Sequence, residues 1–312
     1  MARPPSRPER ICARAWCFGL LCALAGGVSA QSLPPHAPLR ILIVSDEVNP
    51  HGLTPAELTQ PGEIAAALAA APALNLAADA EALLEIPTNE IEQATSRLAP
   101  PRGTPGAYDV LVYFAHRIPN AGSDTVVRQE AFVTAVDAFL VNGGGVVSFH
   151  HGIYRTAGKE SMQALLRGEA TGAVRWNTSA GQNVINVAPG HFVTTHGVAY
   201  PGALAYADPA RGVAAGTYDA FNNTPDERYP VLELLPGPGS VTLLFASDYN
   251  EASTRHVLGY EHTRSTWRGA VVVYQPGEYQ PNAFSGNNFQ ILLNAIVHVA
   301  ARGAVLFADG FE

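Results

Sequence analysis

One stretch of the sequence has the pattern of a buried strand that ends in titratable side chains: Asn142-Gly143-Gly144-Gly145-Val146-Val147-Ser148-Phe149-His150-His151-Gly152. The glycines end the preceding helix, and residues 146–149 form an apolar run suited to a buried strand. His150 and His151 follow where that strand ends, and Gly152 permits a tight turn. Because ligands bind beyond the carboxyl ends of parallel strands in open α/β sheets, the two histidines are candidate site residues. Ordinary loop polarity is the alternative, and histidines at other strand ends favour a site.

The first half of the chain alternates between strand and helix patterns. Residues 39–45 and 108–114 are apolar runs typical of strands buried on both faces, and residues 74–78 are predicted as a further strand. Helices are predicted in the alanine-rich segment after Gln60, at residues 88–98, and where one apolar stripe is formed by Phe132, Val136, Phe139 and Leu140. This alternation predicts a three-layer α/β sandwich around a mainly parallel, doubly wound sheet.

The second half of the chain is less regular. Residues 168–230 are rich in glycine, alanine and asparagine, and we expect an irregular insertion there with long loops and short strands such as 184–187. Strand patterns return at residues 231–235, 241–247, 257–261 and 270–274. The last helix has one apolar face, made of Phe289, Leu292, Leu293, Ile296, Val297 and Ala300. We therefore predict a single domain at residues 39–302, followed by a short acidic tail at 303–312.

The amino-terminal segment has the features of a secretory signal peptide. Its first 14 residues include four arginines, its apolar run at residues 16–28 is too short for a stable membrane anchor, and Val28-Ser29-Ala30 is a small-x-small cleavage site. We expect cleavage between Ala30 and Gln31, a linker at residues 31–38, and a secreted or periplasmic protein. A retained amino-terminal anchor is the alternative.

The composition after residue 30 excludes several classes of function. All three cysteines, Cys12, Cys17 and Cys22, lie before that point, so the mature chain has neither a disulfide nor a thiol nucleophile. Removal of residues 1–30 leaves 15 basic and 26 acidic residues, a net charge of −11 with neutral histidine. An acidic chain without a basic run is a poor nucleic-acid binder. No later segment is long and apolar enough for a membrane span, so we expect no membrane partner after cleavage.

Polar side chains at the predicted strand ends are the first group of candidate site residues. They are Asp46, His51, His116, His150 and His151. Histidine is suited to acid–base catalysis near neutral pH. Imidazole and carboxylate groups that meet in one cleft could also bind zinc, with His51, His116 and His150 as the candidate ligands. A hydrogen-bonded structural role is the alternative for each histidine taken alone.

A second group of candidates lies in the later part of the chain. Asp226-Glu227-Arg228-Tyr229 is a polar cluster that could hold sugar hydroxyls or supply an acid–base pair, although charged loops are usually solvated surface. Tyr260-Glu261-His262 ends one predicted strand, and Gly277-Glu278-Tyr279 follows the last one. No phosphate-binding loop or dinucleotide fingerprint is present, because the glycines at 143–145 precede a strand instead of opening a helix.

Three stretches together resemble the trehalose-utilisation (ThuA-like) family. They are the glycine-rich turn, strand and histidines at 143–151, Asp226-Glu227-Arg228-Tyr229, and Trp267-Arg268-Gly269-Ala270-Val271-Val272-Val273-Tyr274 with Gly277 and the closing helix. The resemblance implies the flavodoxin-like fold of the class I glutamine amidotransferases and a role in sugar metabolism. In those enzymes a cysteine lies at the turn that His150 occupies here, so thiolate amidotransferase chemistry is excluded. Glu278 stands where a histidine is common in the family.

Three functions are compatible with these observations. The first is an exported enzyme acting on a carbohydrate or an oxidised sugar, with His150, His116, Asp226 and Glu227 as catalytic residues. Its substrate contacts would come from His151, Tyr229, Glu261, Glu278 and Tyr154. The second is a non-catalytic sugar-binding module that uses aromatic faces such as Tyr154, Trp176, Tyr229 and Trp267. The third is a zinc-dependent hydrolase. Each could act as a homo-oligomer, and we expect the His150 side chain to face the cleft while His151 points elsewhere.

Overall fold

The computed structural model describes residues 33–34, 36–47, 58–116, 123–171, 182–249, 255–279 and 283–308. The strands in these ranges are β1 Ile41–Ser45, β2 Leu83–Pro87, β3 Val110–Tyr113, β4 Gly145–Phe149, β5 Gly168–Thr171, β6 Gln182–Asn186, β7 Gly202–Asp208, β8 Val213–Asn223, β9 Val231–Leu234, β10 Ser240–Ser247, β11 His256–Thr263 and β12 Val271–Tyr274. The α-helices are α1 Glu63–Ala69, α2 Ile91–Leu98, α3 Ser123–Val141, α4 Glu160–Leu166, α5 Phe192–Thr195 and α6 Gly286–Ala308.

One mixed sheet of ten strands, in the order β2-β1-β3-β4-β12-β11-β10-β6-β8-β7, forms the centre of the molecule. The first five strands in this order are parallel, and every later neighbour is antiparallel. Every residue of β1, β3, β4 and β12 is buried, which explains their continuous apolar sequences. β5 and β9 pair in a separate two-stranded sheet.

Helices cover both faces of the sheet. Buried side chains of α1, α5 and α6 pack in one apolar core on one face, and those of α2, α3 and α4 pack in another core on the opposite face. The predicted single-domain α/β sandwich with a mainly parallel, doubly wound sheet is therefore confirmed. Among the helices that the structure describes, none combines the length and apolarity that a membrane crossing requires.

The strand that pairs with the outer side of β1 is at Leu83–Pro87 and not at residues 74–78, so that prediction was wrong. Pro72–Leu74 form a turn of 3₁₀ helix, which ends at Asn75 in the left-handed conformation with φ 45°. Leu76 then forms only an isolated bridge with Leu39. This tight turn interrupts the extended conformation that the apolar sequence predicts for residues 74–78.

The insertion predicted at residues 168–230 contains regular strands. Within it β6, β7 and β8 extend the sheet, and β8 is 11 residues long. The residues of these strands are mostly small or polar and show little apolar periodicity. Pairing with long antiparallel neighbours stabilises the strands instead. At the other end of the domain, residues 303–308 of the predicted tail continue helix α6.

Strand direction decides which loops meet. β8 is antiparallel to β6, β6 to β10, β10 to β11 and β11 to β12, so β8 and β10 run in the same direction as the parallel strands. Their carboxyl ends therefore lie at the edge where β1, β3, β4 and β12 also end. β11 runs the opposite way and ends at the other edge.

Candidate active site

His150 occupies a strained turn at the carboxyl end of β4. Its φ of 39° is in the left-handed region, and it opens a 3₁₀ turn at His150–Ile153. Gly152 packs against β3, where an added Cβ would lie 2.3 Å from the carbonyl oxygen of Tyr113 and 2.5 Å from Ser148 Oγ. Strain at a non-glycine residue is typical of functional sites, where the surrounding structure holds it in place.

Four neighbouring groups fix the His150 ring. The Nδ1–H donates a hydrogen bond of 2.7 Å to the backbone carbonyl of Gln275, since a carbonyl can only accept. Nε2 lies 3.0 Å from Glu227 Oε2, 3.0 Å from Tyr229 Oη and 3.4 Å from Glu278 Oε2. The ring is therefore oriented with Nε2 toward two carboxylates and a phenol.

The carboxylates around His150 favour its charged form. Burial by itself would lower the pKa of the ring, but the hydrogen bond with Glu227 and the negative charges of Glu278 and Asp226 outweigh it and raise the pKa to about 9. His150 is fully buried. At neutral pH the centre therefore holds an imidazolium beside two glutamates.

His151 belongs to the same centre, so the expectation that it points elsewhere was wrong. Its Nε2 lies 3.0 Å from Glu278 Oε2, and its ring centroid lies 4.7 Å from that of His150. The 3₁₀ turn places the two consecutive rings side by side instead of on opposite sides of an extended strand. We call His150, His151, Glu227 and Glu278 the histidine–glutamate cluster, and all four are buried.

Asp226, predicted as a catalytic residue, holds the backbone of the site. Its Oδ1 accepts backbone N–H bonds from Glu227 at 2.8 Å, and from Glu278 and Tyr279 at 2.9 Å each. Its Oδ2 accepts further bonds from the Gly277 N–H and the Asn223 amide. Burial raises the pKa of the Asp226 carboxyl, and the charge of His150 and these donors oppose the rise. Asp226 thus ties together the two loops that carry Glu227 and Glu278.

Aromatic rings form one wall of the site. Tyr229 stacks on His150 with centroids 5.0 Å apart, and burial raises the pKa of its phenol well above the ordinary value. Tyr154 lies 5.2 Å from the Tyr229 ring and stacks on His116 at 4.7 Å. The His116 ring meets His151 edge-on at 5.1 Å, so His116 lines the wall and is outside the histidine–glutamate cluster.

The loop after β1 also contributes to this edge. Asp46 is buried, and its Oδ2 accepts the backbone N–H of His116 at 2.8 Å. His51, a metal candidate, and Trp176, a predicted sugar contact, lie outside the described residues. Their placement stays a prediction.

Glu261 lies away from the histidine–glutamate cluster, in contrast to its predicted role as a substrate contact. It lies within β11, which continues to Thr263, and pairs with Val272 of the antiparallel strand β12, so the prediction that it lies at a strand end was wrong. Its carboxylate lies 2.8 Å from His298 Nε2, 3.0 Å from Arg302 Nη1 and 3.7 Å from His191 Nε2. Burial alone would raise the Glu261 pKa, but these neighbours lower it well below its usual range.

The surroundings of Glu261 are those of an ion-pair network and not of a metal site. His191 Nδ1 accepts the Val193 N–H at 3.2 Å, so in the neutral ring the proton is on Nε2, which faces Glu261. A metal ion at Nε2 would need the lone pair of that nitrogen, which the proton occupies. The Arg302 guanidinium already supplies positive charge there.

Two residues that support the site were missed in the sequence. Lys159 is fully buried, and its Nζ donates hydrogen bonds to the carbonyls of Ala115 at 2.8 Å, His151 at 3.1 Å and Tyr154 at 2.8 Å. Burial lowers the pKa of Lys159 to about 7, against the opposing charge of Asp46. Gln275, which accepts the His150 bond, directly follows β12 and has the same strand-end signal as His150.

The histidine–glutamate cluster also has the composition of a metal-binding site. One ligand atom from each side chain lies within 4.8 Å of the others. The Nδ1–H bond from His150 to a carbonyl directs Nε2 into the cluster, an arrangement common for metal-bound histidine.

No family model matches the sequence, and no curated protein matches it. A ThuA-like protein from Bacteroides uniformis has 15% identity, a TM-score of 0.47, and coverage of 85% of this chain and 93% of that chain. A glutamine amidotransferase from Thermotoga maritima has 10% identity, a TM-score of 0.37, and coverage of 85% of this chain and 97% of that chain.

ThuA-like and amidotransferase structures are thus among the structural neighbours, as the sequence resemblance predicted. A carbohydrate deacetylase is a further neighbour, with 12% identity, a TM-score of 0.40, and coverage of 77% of this chain and 30% of that chain. These similarities concern the fold alone.

Proposed function

We propose that the protein is an enzyme that acts on a carbohydrate or an oxidised sugar at the histidine–glutamate cluster. The observation that carries the proposal is the 3.0 Å contact between His150 and Glu227, two buried residues from separate motifs. A non-catalytic sugar-binding module needs aromatic faces and hydroxyl partners, but it does not need four buried ionisable side chains in contact. Buried ionisable groups with shifted pKa values, such as His150, are more typical of catalytic sites than of binding modules.

His150 is assigned as the proton donor. Gln275 holds Nδ1–H, so the Nε2–H of the imidazolium points into the cluster. This proton would pass to an oxygen of the substrate, and the carboxylate of Glu278 would accept a proton from the same molecule. The Glu227 carboxylate stabilises the imidazolium before the transfer, and the Tyr229 hydroxyl completes the hydrogen bonds around Nε2. A paired acid and base of this kind suit isomerisation or elimination next to a sugar carbonyl.

The proposal is tested with a panel of neutral disaccharides and their oxidised derivatives, with products followed by NMR. We expect the protein to convert at least one member, and His150→Gln and Glu227→Gln to lower turnover by about 100-fold or more. Glu233→Gln, an exposed change on β9, is the matched control and should leave turnover unchanged. Absence of turnover across the panel, or full turnover in His150→Gln, would contradict the proposal.

A divalent-metal hydrolase is the second candidate, favoured by charge and spacing. Glu227, Glu278 and Asp226 are three buried carboxyl groups around two histidines, so a bound cation would balance their charge. The shortest distances between ligand atoms in the cluster, 3.0 to 3.4 Å, are close to the ~3.3 Å expected around tetrahedral zinc. A bound zinc would be held by three of the four side chains His150, His151, Glu227 and Glu278, and it would supply a Lewis acid and an activated water.

Elemental analysis separates the two candidates. A metal centre predicts stoichiometric zinc in protein purified without a histidine tag, lost in Glu278→Gln, and a lower melting temperature after chelation. Metal-free protein with full turnover and unchanged melting would remove this candidate.

We also propose that the protein is exported to the periplasm or the medium, on the basis of the features of residues 1–30. Amino-terminal sequencing of the protein from its native host should find Gln31 first. A mature chain that begins at Met1 would contradict export by cleavage.

A further inference from the structure

Two adjoining cavities lie beside the loop that carries Asp226 and Glu227. They share the residues Pro201, Phe221 and Asn222, and we call them together the asparagine groove. The larger has a volume of about 350 Å³ and reaches the start of helix α6, whereas the smaller has about 270 Å³ and lies along β7 and β8. Volumes of this order are typical of sites for small molecules.

The lining of the asparagine groove combines apolar and amide groups and is uncharged. Side-chain amides from β6, β8 and helix α6 contribute to it, namely Asn183, Asn222, Asn223, Asn287 and Asn288. None of the residues that line either cavity is ionisable, and the ring of Phe221 adds an apolar surface. An amide has two N–H donors and two lone pairs, a mixed donor and acceptor pattern like that of sugar hydroxyls. Each of these amides also uses part of that capacity in hydrogen bonds within the protein. A charged sugar would find no counter-ion among these residues.

Hydrogen bonds connect the asparagine groove to the histidine–glutamate cluster. Asn288 Nδ2 donates to Asn223 Oδ1 at 2.8 Å, and Asn223 Nδ2 donates to Asp226 Oδ2 at 2.7 Å. Asp226 in turn accepts the backbone N–H groups of Glu227 and Glu278. A ligand against Asn223 and Asn288 therefore contacts the residues that hold the two glutamates in place.

We propose that the asparagine groove binds the non-reacting portion of a neutral saccharide, about two sugar rings long. This inference rests on the proposed function, because it names the substrate class of that enzyme as uncharged oligosaccharides. Binding energy from such a remote portion can be used to position the reacting sugar.

The test measures binding of four probes by calorimetry and ligand-detected NMR: glucose, maltose, glucuronate and glucose 6-phosphate. We expect maltose to bind more tightly than glucose, and both charged sugars to bind at least about tenfold more weakly than maltose. Ser285→Trp fills the larger cavity and Ala203→Trp fills the smaller one, and both positions are exposed. Each variant should weaken maltose binding by about tenfold or more.

Ala205→Trp is the matched control, because it is exposed on the same face of β7 but lines neither cavity. It should bind maltose as the wild type does, and melting curves of all three tryptophan variants establish that they are folded. Unchanged maltose binding in both filled variants, or charged sugars bound as tightly as maltose, would overturn the inference. Glu227→Gln should bind maltose normally while losing turnover, so a failure of the catalytic proposal is distinguishable from a failure of the groove.

Discussion

The Nε2 atom of His150 lies 3.0 Å from Oε2 of Glu227, although 77 positions separate the two residues in the chain. β4 places His150 at one edge of the sheet, and the loop after β8 brings Glu227 to the same edge. Four strands lie between β4 and β8 in the sheet. The contact therefore depends on the antiparallel half of the sheet as much as on the parallel half.

Asp226→Asn should strongly destabilise the protein. The carboxylate accepts four backbone N–H bonds and the Asn223 amide, divided between its two oxygens. In either orientation, an asparagine NH₂ group would face N–H donors. We expect a loss of about 3 kcal/mol or more in the free energy of unfolding, measured by urea denaturation. Asp219→Asn, an exposed change on β8, is the control and should have little effect. Equal stability of the two variants would mean that Asp226 does not hold the loops.

Gly152→Ala should prevent the turn after β4 from packing. The new Cβ would lie 2.3 Å from the Tyr113 carbonyl oxygen, which is backbone and cannot rotate away. We expect a destabilisation of more than about 4 kcal/mol, or no soluble protein. Gly190→Ala is the matched change, because nothing lies within 4 Å of a Cβ there. A melting temperature for Gly152→Ala close to that of Gly190→Ala would contradict the close approach.

Lys159→Met should loosen the wall of the site. The substitution leaves three carbonyl groups without their lysine donor, those of Ala115, His151 and Tyr154. Because buried polar groups without partners are costly, we expect a loss of about 3 kcal/mol in unfolding free energy. Arg155→Met, at an exposed position four residues earlier, should change stability little. Hydrogen exchange gives a second measurement, and the amides of residues 150–154 should exchange faster in Lys159→Met only.

Glu261→Gln should reduce the loss of stability in acid. The pKa of Glu261 is lowered from its ordinary value of 4.5, because its histidine and arginine neighbours outweigh burial. The Glu261 carboxylate therefore binds a proton more readily in the unfolded chain than in the folded chain. The stabilisation that its ion pairs provide is complete above about pH 4.5 and is lost as the pH falls toward the pKa of Glu261 in the folded chain. We expect Glu261→Gln to be less stable than wild type at pH 7. As the pH falls below 5, its free energy of unfolding should decrease less than that of the wild type. Glu233→Gln, which is exposed, should follow the wild-type curve. Parallel curves for wild type and Glu261→Gln would contradict the ion-pair assignment.

Much of the site could be predicted from a single rule about strand ends. His150, His151 and Glu278 follow the buried strands β4 and β12, and parallel strands bring their carboxyl ends to one edge. The same rule, applied to residue 275, would have found Gln275. It misplaced Glu261, because only the pairing register reveals that β11 runs in the opposite direction.

Other features depend on contacts that the local sequence does not encode. Lys159 follows Gly158 in a polar stretch that reads as exposed loop, yet the turns around it bury its side chain completely. The strands β7 and β8 are rich in small residues, so their pairing depends on each other and not on local propensity. Asp226 has the sequence signature of a catalytic acid, whereas its hydrogen bonds are those of a structural residue.

The most direct test of the central claim compares turnover of Glu227→Gln with that of Glu261→Gln on the saccharide that the wild type converts. Both changes neutralise one buried glutamate that contacts a histidine, but only Glu227 belongs to the histidine–glutamate cluster. We predict a fall of about 100-fold or more in kcat for Glu227→Gln and a kcat within about threefold of wild type for folded Glu261→Gln. Equal turnover in the two variants would contradict a catalytic centre at His150 and Glu227.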